Sequence, residues 1–331
     1  MRPRILVLAG LVAALAGLAS ANPADFDMHR CVNMGNTLDS PKGEPWGRPI
    51  DVADFPKIRS MGVDTVRIPV RWSDYAGPGP DHAIDPAFMA EVDGIVAAAL
   101  AADLNVILDV HHFDAIMQAP EEGVPELVAM WRQIGAHFAG APDRLWFEVL
   151  NEPKGALAGE AMRDMQRAGV AAIRETNPDR IVILGGEDAS GVELLDTNIP
   201  PPDANIVYTF HFYDPEPFTH QFAPWASAAY RHKRGWGSRA DRAEVRAMAG
   251  MAADYREKTG RPVFLGEFGV YQGVDMKLRA KWTRAVRKQA EAADLPWCVW
   301  SYSNSFALYD ARTGTYNAPL VEALGLKLPA D

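Results

Sequence analysis

The sequence predicts a single (β/α)8 TIM barrel, and three observations predict it. Short β-branched runs alternate with longer amphipathic stretches from Cys31 to Tyr302. The runs number eight, a count that favours closing a parallel sheet into a barrel over leaving it open and doubly wound. No Ser/Thr/Pro-rich linker or low-complexity tract interrupts the chain, so one domain is expected over residues 22–331.

The strands follow in order. Cys31–Asn36, Val63–Ile68, Val106–His111 and Leu145–Asn151 make the first half. Ile181–Leu184, Ile206–Phe212, Val263–Glu267 and Cys298–Tyr302 make the second. Each is a short apolar run bounded by turn residues. The helices between them carry their own punctuation. Asp85-Pro86 starts one with an N-cap and a proline at the first helical position, and Val92, Ile95, Val96, Ala99 and Leu100 then repeat at helical spacing. Asn177-Pro178 ends another, and Thr259-Gly260 ends a long one before Arg261-Pro262. Pro200-Pro201-Pro202 reads as a stiff loop entering the sixth strand.

Residues 1–21 read as a signal peptide. Arg2 and Arg4 precede an apolar run, Ile5 to Leu18, and Ala19-Ser20-Ala21 offers the small-x-small pattern of a cleavage site. The run is shorter than the ~20 residues a spanning helix needs. Secretion, periplasmic or extracellular, is therefore expected. Losing that segment moves the formal charge from −10 to −12, since Arg2 and Arg4 are its only charged side chains. Such an acidic chain suits neither nucleic acid nor an anionic membrane surface as partner. Cys31 and Cys298 fall in the first and last strands, which a closed barrel places side by side. They could pair after export, but two buried free thiols are the favoured expectation. With two cysteines and no third ligand near His111 and His112 at helical spacing, neither a metal nor another cofactor is expected.

In a barrel of this kind the working residues sit at the C-terminal strand ends. Those ends are polar here: Arg67, Asp109 with His111 and His112, Asn151-Glu152, His211 with Tyr213, Glu267 and Trp300. Singly each has an ordinary reading, as a salt bridge, a packed histidine or a core tryptophan. Six of eight strands delivering polar or aromatic groups to one face is costly without a function. Cleaving a glycosidic bond requires a protonated carboxylic acid beside the leaving oxygen and a carboxylate at the anomeric carbon. Glu152 and Glu267, on opposed strands four and seven, fit that pair. Their environments are expected to separate their pKa values, with a cation holding Glu267 ionised and Glu152 protonated.

These motifs resemble glycoside hydrolase family 5 over essentially the whole mature chain. Asn33-Met34-Gly35-Asn36-Thr37-Leu38 looks like the family's opening motif, Leu150-Asn151-Glu152-Pro153 like its most specific signature, and Gly266-Glu267-Phe268-Gly269 like its nucleophile segment. The resemblance implies a retaining mechanism with Glu152 as general acid/base and Glu267 as nucleophile. It implies that Arg67 and Tyr213 hold the nucleophile and that Asn151 grips the sugar 2-hydroxyl. His211 then stands near the acid/base, His111 shapes the subsite, and Trp300 offers a face to the sugar ring.

Further subsite residues are sought among Asn36, His112, Trp46, Trp72, Trp225 and Trp236, because sugar C–H faces stack on aromatics; burial in the core is an equal alternative for each tryptophan. The basic turn Arg231-His232-Lys233-Arg234 is expected to be a solvated surface loop. The resemblance implies a β-1,4-glucanase of the endoglucanase or cellulase type, acting on a polysaccharide or oligosaccharide as a monomer. A mannanase, xyloglucanase or β-1,3-glucanase of the same fold, a retaining transglycosylase, and a catalytically dead binding barrel are the alternatives.

Overall fold

The computed structural model describes residues 26–199, 201 and 203–329. The expected signal peptide lies outside them, as do Pro200 and Pro202 of the proline loop. Eight parallel strands close into a barrel in chain order: β1 (Arg30–Asn33), β2 (Thr65–Ile68), β3 (Asn105–Asp109), β4 (Leu145–Glu148), β5 (Val182–Gly185), β6 (Ile206–His211), β7 (Val263–Glu267) and β8 (Trp297–Val299). Helices intervene as the periodicity requires. Asp85 caps Pro86–Ala101, its carboxylate accepting from the Ala87 N–H at 2.9 Å. Arg239–Thr259 begins with a Ser238/Asp241 capping box and stops at Gly260, whose φ of 65° is left-handed.

The inward faces form layers. Cys31, Ile107, Trp146, Ile183, Val207, Phe264 and Cys298 fill the lower barrel, and Met28 and Phe26 close it from beneath, the Phe26 ring 4.8 Å from that of Trp146. Alternate residues such as Val32, Val66, Val106 and Leu108 face the helices. Above the apolar layer the inward face turns charged: Asn33 pairs in register with Arg67, Asp109 with Glu148, and His211 with Glu267.

The observed strands stop short of several predicted ends. β1 pairs only to Asn33, β4 to Glu148 and β8 to Val299. The residues beyond leave the ladder to project over the barrel mouth. Asn36, His112 and Glu152 do so with φ of 60°, 50° and 46°, left-handed conformations that cost a residue with a Cβ of order 1 kcal/mol or more. The cysteine expectation is corrected: β8 returns to β1 with Cys31 opposite Cys298, and the two form a disulfide. Barrel closure brings their Cα atoms to 4.1 Å. Among the described residues, no helix is long and apolar enough to cross a membrane.

Candidate active site

Arg67 organises the upper barrel. Its side chain has no exposure, and each of its five N–H groups has an acceptor. Nε and Nη2 grip the Glu148 carboxylate at 2.7 and 2.8 Å, Nη2 also donates to Asn151 Oδ1 at 2.8 Å, and Nη1 donates to Asn33 Oδ1 at 3.0 Å and Glu267 Oε1 at 2.8 Å. Asp109 Oδ2 lies 2.7 Å from Nη2 as well, and receives the His111 Nδ1–H at 2.8 Å. Burial raises Asp109 to about 6 against the pull of Arg67. Burial, assisted by the Arg67 charge, keeps His111 well below its ordinary range, so its ring is neutral.

Glu267 accepts a second bond, from Tyr213 Oη at 2.8 Å. Across the mouth, His211 Nδ1 donates to Glu152 Oε1 at 2.9 Å and lies 3.7 Å from Glu267 Oε2. A carboxylate oxygen of Glu152, one of Glu267 and a ring nitrogen of His211 all fall within 4.8 Å of one another. Lys154 Nζ stands 3.9 Å from Glu152 Oε2. Gly266 is required beside Glu267, because a Cβ there would come within 2.2 Å of Thr209 Oγ1 and 3.2 Å of His211 Nε2.

The pKa shifts of the two carboxyl groups run opposite to the expected order. Burial alone would raise Glu152, but the hydrogen bond and charge of His211 outweigh it and pull the acid to about 2. Burial alone would lower His211, but the charge of Glu267 and the Glu152 bond raise it. Glu267 is raised by burial, which outweighs His211, Arg67 and the Tyr213 bond. The expected cation does stand beside Glu267. It is divided among several carboxylates, and His211, its hold on a proton strengthened, sits against Glu152.

A cavity of about 540 Å³ opens over this pair. Glu152, Glu267, Tyr213, Trp300, Asn36, His112, Trp46 and Trp225 line it. His111 lies just beneath, its ring parallel to that of Trp300 with centroids 5.8 Å apart. Gly35 lets the indole close in, since a Cβ there would meet Trp300 Cη2 at 2.3 Å. Trp46 and Trp225 are 48% and 57% exposed, as stacking platforms must be. Trp72 and Trp236 are corrections. Trp72 is fully buried, its indole N–H bound to the Asp109 carbonyl, and Trp236 is buried beside Phe218. The loops after β2 and β6 fold these two rings inward, onto the helical layer.

Several residues of the site carry no sequence signal that marks them. His220, Ser305 and Phe306 line the cleft from loops without a local motif. Glu148 was marked only by a charge inside the apolar run Leu145 to Leu150. The basic turn is exposed at Arg231, His232 and Lys233, and Arg234 pairs with Asp241 at 2.8 Å. Among the described residues two groups could approach a cation, Glu152 and Glu267 with His211, and Asp39 with His111 and His112. Asp39 supplies the third side chain that spacing did not reveal, because it comes from the β1 loop. Its oxygens accept the Asn36 and Thr37 N–H groups at 3.0 and 2.7 Å.

The family model for cellulase (glycosyl hydrolase family 5) matches residues 22–306. Endoglucanase H of Acetivibrio thermocellus is 30% identical over 298 residues, covering 88% of this chain. The chain spans about a third (32%) of that protein's length. The crystal structure of the cellulose synthase subunit Z from Clostridioides difficile superposes with a TM-score of 0.86 at 34% identity, over 90% of this chain and 99% of that one. Cel5A of Thermotoga maritima in complex with cellobiose gives a TM-score of 0.86 at 32% identity, over 90% of this chain and 97% of its own; Cel5A is also known in complex with mannotriose. The chain belongs to the cellulase family, glycosyl hydrolase family 5.

Proposed function

We propose that this chain is a secreted retaining endo-β-1,4-glucanase, with Glu267 as nucleophile and Glu152 as general acid/base. The observation that carries the reading is the approach of a Glu152 oxygen to a Glu267 oxygen within 4.8 Å. That spacing suits a retaining pair at ~5–5.5 Å, whereas an inverting pair stands ~6.5–9.5 Å apart to admit a water.

In the first step a Glu267 oxygen bonds to the anomeric carbon as the glycosidic C–O bond breaks, and the leaving oxygen takes a proton from Glu152. In the second, water adds to that carbon, gives a proton to Glu152, and the ester bond to Glu267 breaks. The proton belongs to the Glu152–His211 pair. It rests on His211 while the cleft is open. A bound sugar excludes water, separated charge becomes costly, and the proton moves across the 2.9 Å bond to Glu152. Arg67 and Tyr213 orient the nucleophile, Asn151 faces the 2-hydroxyl, and Trp300 packs on the ring.

The endoglucanase name of Endoglucanase H supports a glucan. The cellobiose and mannotriose complexes of Cel5A favour a second reading in which mannan is also cut. Rates on carboxymethyl cellulose, glucomannan, xyloglucan and laminarin, with NMR of the first-formed anomer, test both. β-Anomer from glucan is expected; α-anomer would overturn the two-carboxylate assignment, and a preference for laminarin the glucan specificity.

A further inference from the structure

We propose that Glu148 is a positioning residue that sets the basicity of the nucleophile by holding the two-pronged edge of Arg67. The inference rests on the reading of Glu267 as nucleophile. Arg67 presents a two-pronged edge, Nε with Nη2, and one remaining amino group, Nη1. Glu148 occupies the two-pronged edge, at 2.7 and 2.8 Å. Glu267 receives a single hydrogen from Nη1 at 2.8 Å, and Asn33 takes the other at 3.0 Å. Glu148 and Arg67 are both buried, so neither shares its charge with solvent.

Two consequences follow from that division. The bidentate grip fixes the guanidinium plane, and Asn33, tied to the Gly266 and Val299 carbonyls at 3.0 and 3.3 Å, fixes its far end. Nη1 is thereby aimed at Glu267. The Glu148 charge, together with Asp109 at 2.7 Å from Nη2, also offsets the guanidinium charge, so Glu267, which His211 and Tyr213 face from the β6 side at 3.7 and 2.8 Å, is only partly neutralised by Arg67. It is thus held by a cation yet remains electron-rich enough to attack carbon. A nucleophile matched one-to-one with Arg67 would be a weaker base, slower to form the glycosyl ester and faster to leave it.

The test is Glu148→Gln, which keeps the shape and removes the charge. Its kcat/KM on p-nitrophenyl β-cellobioside, which reads ester formation, is expected to fall about tenfold. The acid limb of that profile is expected to move down by about one pH unit, because Glu267 then receives more of the Arg67 charge. With 2,4-dinitrophenyl β-cellobioside, whose activated leaving group makes ester hydrolysis limiting, kcat is expected to hold or rise. Glu148→Asp keeps the charge, so its acid limb should stay put even if its rate falls. Equal losses in kcat and kcat/KM with an unmoved acid limb in Glu148→Gln would overturn the proposal, as would wild-type behaviour. If Glu148→Gln does not fold, an acid limb displaced downward in Glu148→Asp overturns it instead. Azide rescue of Glu267→Gly tests the nucleophile separately, so the two readings fail independently.

Discussion

His211 lies between the two glutamates of the barrel mouth, bonded through Nδ1 to Glu152 at 2.9 Å and 3.7 Å from Glu267. One imidazole therefore answers to both carboxylates, and the proton it holds belongs to the pair. His211 is raised and Glu152 lowered, so the last proton of the pair is lost only above the ordinary histidine range. Activity should accordingly persist as pH rises through that range, and its basic limb reports this loss. In His211→Asn, Glu152 must hold the proton alone. The basic limb of kcat/KM is then expected to move down by about one unit or more. An unmoved basic limb would show that His211 takes no part in storing the proton.

Glu267→Ala is expected to lose roughly ten-thousand-fold in kcat, and added azide to restore turnover with an α-glycosyl azide as product. Mass spectrometry and NMR of that product check the outcome. Failure of azide and formate alike would remove Glu267 from the nucleophile's role.

Asp39 is raised by burial to about 7, against the N–H groups of Thr37 and Asn36. The folded protein holds this proton to a higher pH than the unfolded chain, whose aspartates titrate near 3.8. Stability linked to Asp39 is thus fully present below pH ~4 and is lost as pH rises through ~7, by up to about 4 kcal/mol. Asp39→Asn should flatten the decline of Tm between those limits. A decline as steep as that of the wild type would contradict the assignment.

The tryptophans sort by exposure. Trp225→Ala should raise KM on polymer several-fold while leaving Tm unchanged, since one sugar stack is worth about 1 kcal/mol. Trp72→Ala should cost about 3–5 kcal/mol of stability, with loss of the indole bond to the Asp109 carbonyl. Thermal melts alongside kinetics distinguish the two; a destabilised Trp225→Ala would place that ring in the core.

Much of this architecture is legible in the sequence alone. The eight strands announced themselves because a buried parallel strand is a short apolar run, and Glu152 and Glu267 because each sits in a compact motif at a strand end. The tryptophans were not separable, since the same ring serves core and cleft and only the path of a loop decides. Glu148 and Asn33 were passed over because their partners are distant in sequence: Arg67 lies 81 residues from one and 34 from the other. The charge order of the acid pair depends on the 2.9 Å contact between His211 and Glu152, and no spacing in the sequence encodes a distance.

The bonds of Asn33 also bear on how the enzyme comes into being. Its amide joins the first strand to Gly266 and Val299, across sequence separations of 233 and 266 residues, and its oxygen holds Arg67. Glu148 grips one edge of the guanidinium independently of the last strand, but the Asn33 amide that holds Nη1, the group bonded to Glu267, is itself fixed only once the last strand has docked on the first. A chain emerging from synthesis has no working site until β8 is in place. Activity should appear all at once with barrel closure, and a truncation that removes β8 should be inert even with both glutamates present.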